Sequence, residues 1–185
     1  MTLRTDVVRE LSAWTAPSPD QVALRDAYLA YVQEHPDATW RHCRPAHLTA
    51  SALVLDPLGG RVLLTLHRKV GRWLQTGGHC EPGDATLAAA ALREATEESG
   101  IDGLRLTGPP LRLDRHEVRC GADGSTAQHL DVQYLAVTTG GMRERASGES
   151  ADLAWWPVDA LPTGTDDSVR ALVARALALP TVTPG

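Results

Sequence analysis

Glu94, Glu97 and Glu98 stand at i, i+3 and i+4 in the most helical stretch of the chain, about Ala85 to Ser99, and no other pattern limits the fold as much. At about 100° per residue the three carboxylates share one face of a helix. Ala88, Leu92 and Ala95 form an adjacent apolar stripe, so the helix must dock on a flat apolar surface and turn its acids toward a cleft beside it. Like charges at this spacing cost a few tenths of a kcal/mol per pair, which a divalent cation removes. Hard oxygen donors suit Mg²⁺ or Mn²⁺, ions that commonly bridge carboxylates to substrate phosphates. Gly100 ends the helix. Ahead of it runs Gly77-Gly78-His79-Cys80-Glu81-Pro82-Gly83-Asp84, a loop whose glycines let the backbone approach a ligand and whose carbonyls can add ligands. Asp84 is placed to cap the helix.

The stripe needs a sheet, and strand patterns flank the helix on both sides. Ala52 to Leu55 and Val62 to Leu66, joined by Asp56-Pro57-Leu58-Gly59-Gly60, predict a β-hairpin. Leu111 to Val118, Leu130 to Val137 and Ala151 to Val158 have the length and alternation of strands, and Val169 to Leu179 reads as a closing amphipathic helix. The N-terminal part is helical instead: Leu3, Val7, Val8 and Leu11 recur at helical spacing, and Val22, Leu24, Leu29 and Val32 form a second segment between Pro19 and Pro36. We therefore expect a mixed α+β domain over residues 47–185 and a helical extension over residues 1–46.

A chain of 185 residues accommodates one ordinary domain with such an extension. Its 23 acids outnumber 18 bases and no stretch concentrates Arg or Lys, which argues against general nucleic-acid binding. No apolar run approaches the ~20 residues of a membrane span, and the first residues lack the layout of a signal peptide. A cytoplasmic protein without a membrane role is expected. Cys43, Cys80 and Cys120 are odd in number and widely spaced, as reduced thiols would be.

Gly78 to Ile101 resembles the signature of the Nudix hydrolases. Gly78, Arg93, Glu94, Glu97, Glu98, Gly100 and Ile101 match the family pattern. Asp84 stands where Glu is usual, and eight residues separate it from Arg93 in place of seven, so an extra residue must be absorbed between loop and helix. The stretch from Glu149 to Pro157, followed by Leu161-Pro162, also resembles the end of the family's domain, and the likeness covers about Leu48 to Leu179. It implies an α/β/α sandwich with a mixed sheet, and cleavage of a diphosphate linked to another moiety by a metal-activated water. By the same likeness Glu94 and Glu98 would be the principal ligands for Mg²⁺ or Mn²⁺. Glu97 would be a direct or water-mediated ligand, and the Gly78 carbonyl a further oxygen. Arg93 would orient a carboxylate, and the general base would be Glu98 or Glu149.

The substrate would be a small molecule containing a diphosphate, and its charge needs further cations. Arg68, Lys69 and Arg72, in the turn leading into the glycine loop, are candidates for phosphate, with Trp73 offering a stacking surface or else belonging to the core. Lys69 is the chain's one lysine. His79 and His129 either touch phosphate or bound water, or are satisfied structural histidines. Zinc is disfavoured, because His42-Cys43, His79-Cys80 and His116 with Cys120 lack the close pairs of structural zinc sites. Trp155-Trp156 reads as core packing. A sensor that binds such a ligand without turnover is the alternative, against which the retained Arg93 and three glutamates argue. An isomerase of isoprenoid diphosphates would bring a cysteine and a further acid into the pocket, and no such arrangement is evident. The N-terminal extension can cover the pocket, make a homodimer contact or pack on the sheet; the sequence does not choose.

Overall fold

The computed structural model describes residues 2–119, 125–138 and 150–179. Two helices, α1 (Leu3–Ala13) and α2 (Pro19–Glu34), precede β1 (Ala46–Leu55) and β2 (Arg61–His67), which form the expected hairpin through the pairs Val54↔Leu63 and Leu55↔Val62. After β3 (Trp73–Leu74) and β4 (Thr76–His79) comes the acid helix α3 (Leu87–Ser99), then β5 (Leu104–Leu106), β6 (Arg112–Arg119), β7 (Thr126–Thr138), β8 (Ser150–Pro157) and α4 (Asp167–Leu177). All eight strands belong to one mixed sheet, in which β1 and β7 run parallel and the other strand pairs are antiparallel.

Strand alternation sorts the two faces of this sheet. Leu48, Ala50 and Ala52 of β1, with Leu130, Val132 and Tyr134 of β7, pack in one apolar cluster with Ala90, Ala91 and Ala95 of α3. The same cluster holds Leu3, Val7 and Leu11 of α1 and Tyr28 and Val32 of α2, so the N-terminal helices share the core. On the other face, Leu53, Leu55 and Leu135 meet Val169, Leu172 and Val173 of α4. The result is the expected sandwich, with α1 to α3 on one side and α4 on the other.

Polar contacts fix the extension to this frame. The Gln21 side chain clasps the Leu113 backbone, accepting from its N–H at 2.7 Å and donating to its carbonyl at 3.1 Å. Asp6, fully buried on α1, accepts the Leu87 amide at 3.1 Å, satisfying one of the unpaired donors in the first turn of α3.

The glycine segment departs from its expected form. Thr76–His79 is a strand paired with β1 through Ser51↔Gly77 and Ala50↔Gly78, rather than the start of a loop. Glycine is depleted in strands, which hides this one from a propensity reading. Here it is required: a Cβ on Gly77 would lie 2.3 Å from Ser51 Cβ and 2.6 Å from its Cα. Asp84 does not cap α3 either. The helix starts at Leu87, where Thr86 is the N-cap and accepts from the Ala89 amide at 2.9 Å. The C-terminus is as expected, with Gly100 in the left-handed conformation that L side chains disfavour.

Candidate active site

Arg93 is the hub where the glycine strand meets α3. Its Nε and Nη2 donate to the two oxygens of Asp84 at 3.1 and 3.0 Å, a bidentate clamp. Nη1 donates to Glu94 at 2.9 Å and Glu97 at 3.2 Å, and Nη2 also reaches the His79 carbonyl at 2.9 Å. One guanidinium thus ties β4, the following turn and the acid face together. Asp84, displaced from capping, accepts the Glu81 amide at 2.7 Å as well. Burial pushes its carboxyl up, but the Arg93 and Glu81 bonds outweigh this and hold it below the ordinary value. Burial raises the Glu94 carboxyl, with Arg93 opposing.

Each glutamate has its own setting. Glu94 is mostly buried, with 16% of its side chain exposed, and lies against Gly78: a Cβ there would fall 2.7 Å from the Glu94 Cδ and both oxygens. Glu97 is exposed on the outer side of Arg93. Glu98, half-buried, accepts the Gly77 amide at 3.0 Å. Gly77 therefore touches Ser51 on one side and Glu98 through its N–H, while Gly78 leaves the space that the Glu94 carboxylate fills. Carboxylates beside an uncluttered strand backbone are a donor set that suits a hard divalent ion. In this structure Arg93 donates to both Glu94 and Glu97, and the three acids do not bring one donor atom each into a group lying wholly within 4.8 Å.

Beside β4, the sheet face opposite α3 carries a polar network that the parallel pairing of β1 and β7 assembles. Asp131, buried, accepts from Thr49 Oγ1 at 2.9 Å, Ser51 Oγ at 2.7 Å and Gln133 Nε2 at 3.1 Å. Burial raises its carboxyl although these bonds oppose the shift. Arg112 Nη1 extends the network to Gln133 and Asp114, each at 3.0 Å. Along the same face His47 is the register partner of His129, and His129 of His116. His79 joins them from β4: the rings of His47, His79 and His129 stand 5.1, 4.9 and 5.0 Å apart, and one nitrogen from each lies within 4.8 Å of the others. Among the described residues the other such group of potential metal donors is His35, Asp37 and Cys43. His47 was not among the sequence candidates, since its neighbours come from distant strands; only the strand register reveals it.

Of the remaining candidates, Arg68 and Lys69 are exposed on the turn, and Arg72 pairs with Asp166 at 2.9 Å. Trp73 is 8% exposed and packs edge-on to Trp156, with ring centroids 5.4 Å apart, so its side chain contributes mainly to the α4-side core. Cys43 and Cys80 are buried free thiols. Glu149 and Cys120 lie outside the described residues. No helix among the described residues is long and apolar enough to cross a membrane.

A family model for the NUDIX domain matches residues 45–176. Among solved structures, a NUDIX-family hydrolase from Clostridium perfringens is 26% identical with a TM-score of 0.55, covering 71% of this chain and 97% of its own. A MutT NUDIX hydrolase from Burkholderia pseudomallei is 25% identical with a TM-score of 0.56, covering 69% and 95%. The E. coli dihydroneopterin triphosphate pyrophosphohydrolase shares the fold at 21% identity and a TM-score of 0.56, over 71% and 94%. No curated protein matches the sequence.

Proposed function

Because the chain belongs to the Nudix family of hydrolases, we propose that it cleaves a diphosphate linkage in a small nucleoside diphosphate derivative, using Mg²⁺ or Mn²⁺ held by Glu94, Glu97, Glu98 and the Gly78 carbonyl. The observation that carries this reading is the close fit of the Glu94 carboxylate against the side-chain-free Gly78, with Glu98 fastened to the neighbouring Gly77 amide. When bound, the ion supplies charge neutralisation for the diphosphate and lowers the pKa of water.

The chain's own residues do the positioning. Arg93 clamps Asp84 and holds Glu94, fixing the rotamer of a principal ligand and offsetting the repulsion among the acids. Asp84, one methylene shorter than the usual Glu, reaches Arg93 with both oxygens and also accepts the Glu81 amide. Glu98, which accepts the Gly77 amide beside the strand backbone, is one candidate for the base that takes a proton from the attacking water, and Glu149 is the other. Arg68 and Lys69, exposed on the turn, are candidates for phosphate, as is Arg72, which pairs with Asp166 in this structure.

The test is a panel of nucleoside triphosphates, dinucleoside polyphosphates, nucleotide sugars and ADP-ribose, assayed with Mg²⁺ or Mn²⁺. We expect turnover of at least one member and a loss of at least about 10²-fold in Glu98→Gln. Full activity in that variant would refute the role of Glu98. Tight binding of one member with no turnover across the panel would show a ligand-binding module in place of an enzyme.

A further inference from the structure

We propose that His47, His79 and His129 form a binding site for one divalent transition-metal ion of the zinc class, on the sheet face opposite α3 and distinct from the carboxylate site. The proposal stands on three observations. First, the three rings come from three strands, β1, β4 and β7, and form a nearly equilateral triangle with centroids 5.1, 4.9 and 5.0 Å apart. Their donor nitrogens already lie within 4.8 Å of one another. A tetrahedral ion with Zn–N bonds of about 2.0–2.1 Å wants them about 3.3 Å apart. Closing that gap takes inward movement of side chains while strand positions stay fixed.

Second, the tautomer of the most buried ring is set by the fold. His47 Nδ1 lies 3.2 Å from the Cys43 carbonyl, and a carbonyl only accepts, so Nδ1 carries the proton. The lone pair then resides on Nε2. An imidazole oriented through its other N–H by a backbone carbonyl is the arrangement that metal-binding histidines use.

Third, the donor set selects the ion. The group contains three imidazole nitrogens and neither thiolate nor carboxylate, which favours Zn²⁺, Co²⁺, Ni²⁺ or Cu²⁺ over the Mg²⁺ or Mn²⁺ suited to α3. Three protein ligands leave a fourth position for water or an oxygen of a bound molecule. Asp131 and Asp114 lie on the same strand face as His129 and His116, two residues away along β7 and β6. His116 stays outside the triad: its Nδ1 is bound to Asp114 at 2.8 Å, and its ring lies 5.4 Å from that of His129.

The experiment uses the full chain, stripped with chelator and titrated with Zn²⁺ and Co²⁺. One equivalent of Co²⁺ should give the visible absorption of a tetrahedral nitrogen site. X-ray absorption on protein loaded with one Zn²⁺ should count three imidazoles at about 2.0–2.1 Å. A Glu94→Gln/Glu98→Gln double variant should retain this binding, whereas His47→Gln or His129→Gln should weaken it by at least about 100-fold. A first shell made only of oxygen, no bound equivalent, or loss of binding in the glutamate variant with retention in both histidine variants would each overturn the proposal. The absorption measurement needs no substitution, so a histidine variant that fails to fold leaves the test intact, and no readout depends on hydrolysis.

Discussion

Replacing Gly78 by Ala asks the structure a question about Glu94. The added Cβ would sit 2.7 Å from the Glu94 Cδ and both carboxylate oxygens, whereas ordinary contact between such atoms begins near 3.5 Å, so the carboxylate must retreat by about 0.8 Å. It is tied to Arg93 at 2.9 Å, and retreat strains that bond as well as withdrawing a ligand from the strand. A displacement of about 1 Å in a positioned group costs on the order of 10²-fold in rate, or about 2.7 kcal/mol of transition-state stabilisation. The stability effect should be small, because the atoms that move are the tip of a flexible side chain. About 1 kcal/mol, or about 2–4 °C in melting temperature, is expected. Gly77→Ala is the control, since its Cβ would strike the Cα and Cβ of Ser51, which cannot move without shifting β1. Overpacking against backbone that cannot yield belongs in the upper part of the usual range, about 2–3 kcal/mol, lowering the melting temperature by about 4–12 °C. The assay pairs kcat/KM on a turned-over member of the panel with thermal melts and Mn²⁺ affinity. Wild-type kcat/KM in Gly78→Ala would refute the reasoning, and so would a melt as low as that of Gly77→Ala.

Two further outcomes follow from the anchoring of α3. Asp84→Asn leaves Arg93 without its bidentate partner and should destabilise the protein by about 2–3 kcal/mol at neutral pH. The folded-state pKa of Asp84 is depressed, so its contribution is complete above the unfolded value of about 3.9 and fades as pH falls through the lower folded value. Melts of wild type and variant should therefore differ by a constant, full amount above about pH 4 and converge as pH falls below it; a difference that persists unchanged into acid would disprove the ionic pairing. Asp6→Ala removes the acceptor for the Leu87 amide and should cost about 1–2 kcal/mol, as loss of a helix cap does. Buried Leu3, Val7 and Leu11, each contributing about 1.5–3 kcal/mol, keep α1 docked, so hydrogen exchange should speed up in the first turn of α3 and not across α1.

Periodicity made part of this visible in advance. The acid face and alanine stripe of α3, the β1–β2 hairpin and the long strands β6, β7 and β8 all repeat at the spacing of their element, and Gly100 marks its stop by chemistry alone. Features created by close approach were not legible. Thr76–His79 looks like a loop because its glycines lack strand propensity, yet Gly77 is there for contact with Ser51. Asp84 reads as a cap because it precedes a helical run; Thr86 holds that role two residues later, and Asp84 is engaged by Arg93, a contact that no local propensity encodes. The sequence candidates included His79 and His129 but could not include His47, because nothing local records that residues from three strands meet. The spacing of structural zinc sites is a pattern of sequence neighbours, whereas this imidazole group is made by sheet register.

The β1–β7 seam has a kinetic meaning of its own. It is the parallel pair of the sheet, and it joins segments separated by residues 56–125, so it can zip only after a loop of about 70 residues has closed. Closure of such a loop carries an entropic term of about 4 kcal/mol before its contacts compensate, and non-local pairing of this kind slows folding. His47 with His129, Thr49 with Asp131 and Ser51 with Gln133 all meet across that seam. The polar face is therefore absent from any intermediate in which only the local hairpin and α3 have formed. A ligand gripping both strands would act on the late side of the folding barrier, slowing unfolding without helping the chain find its fold.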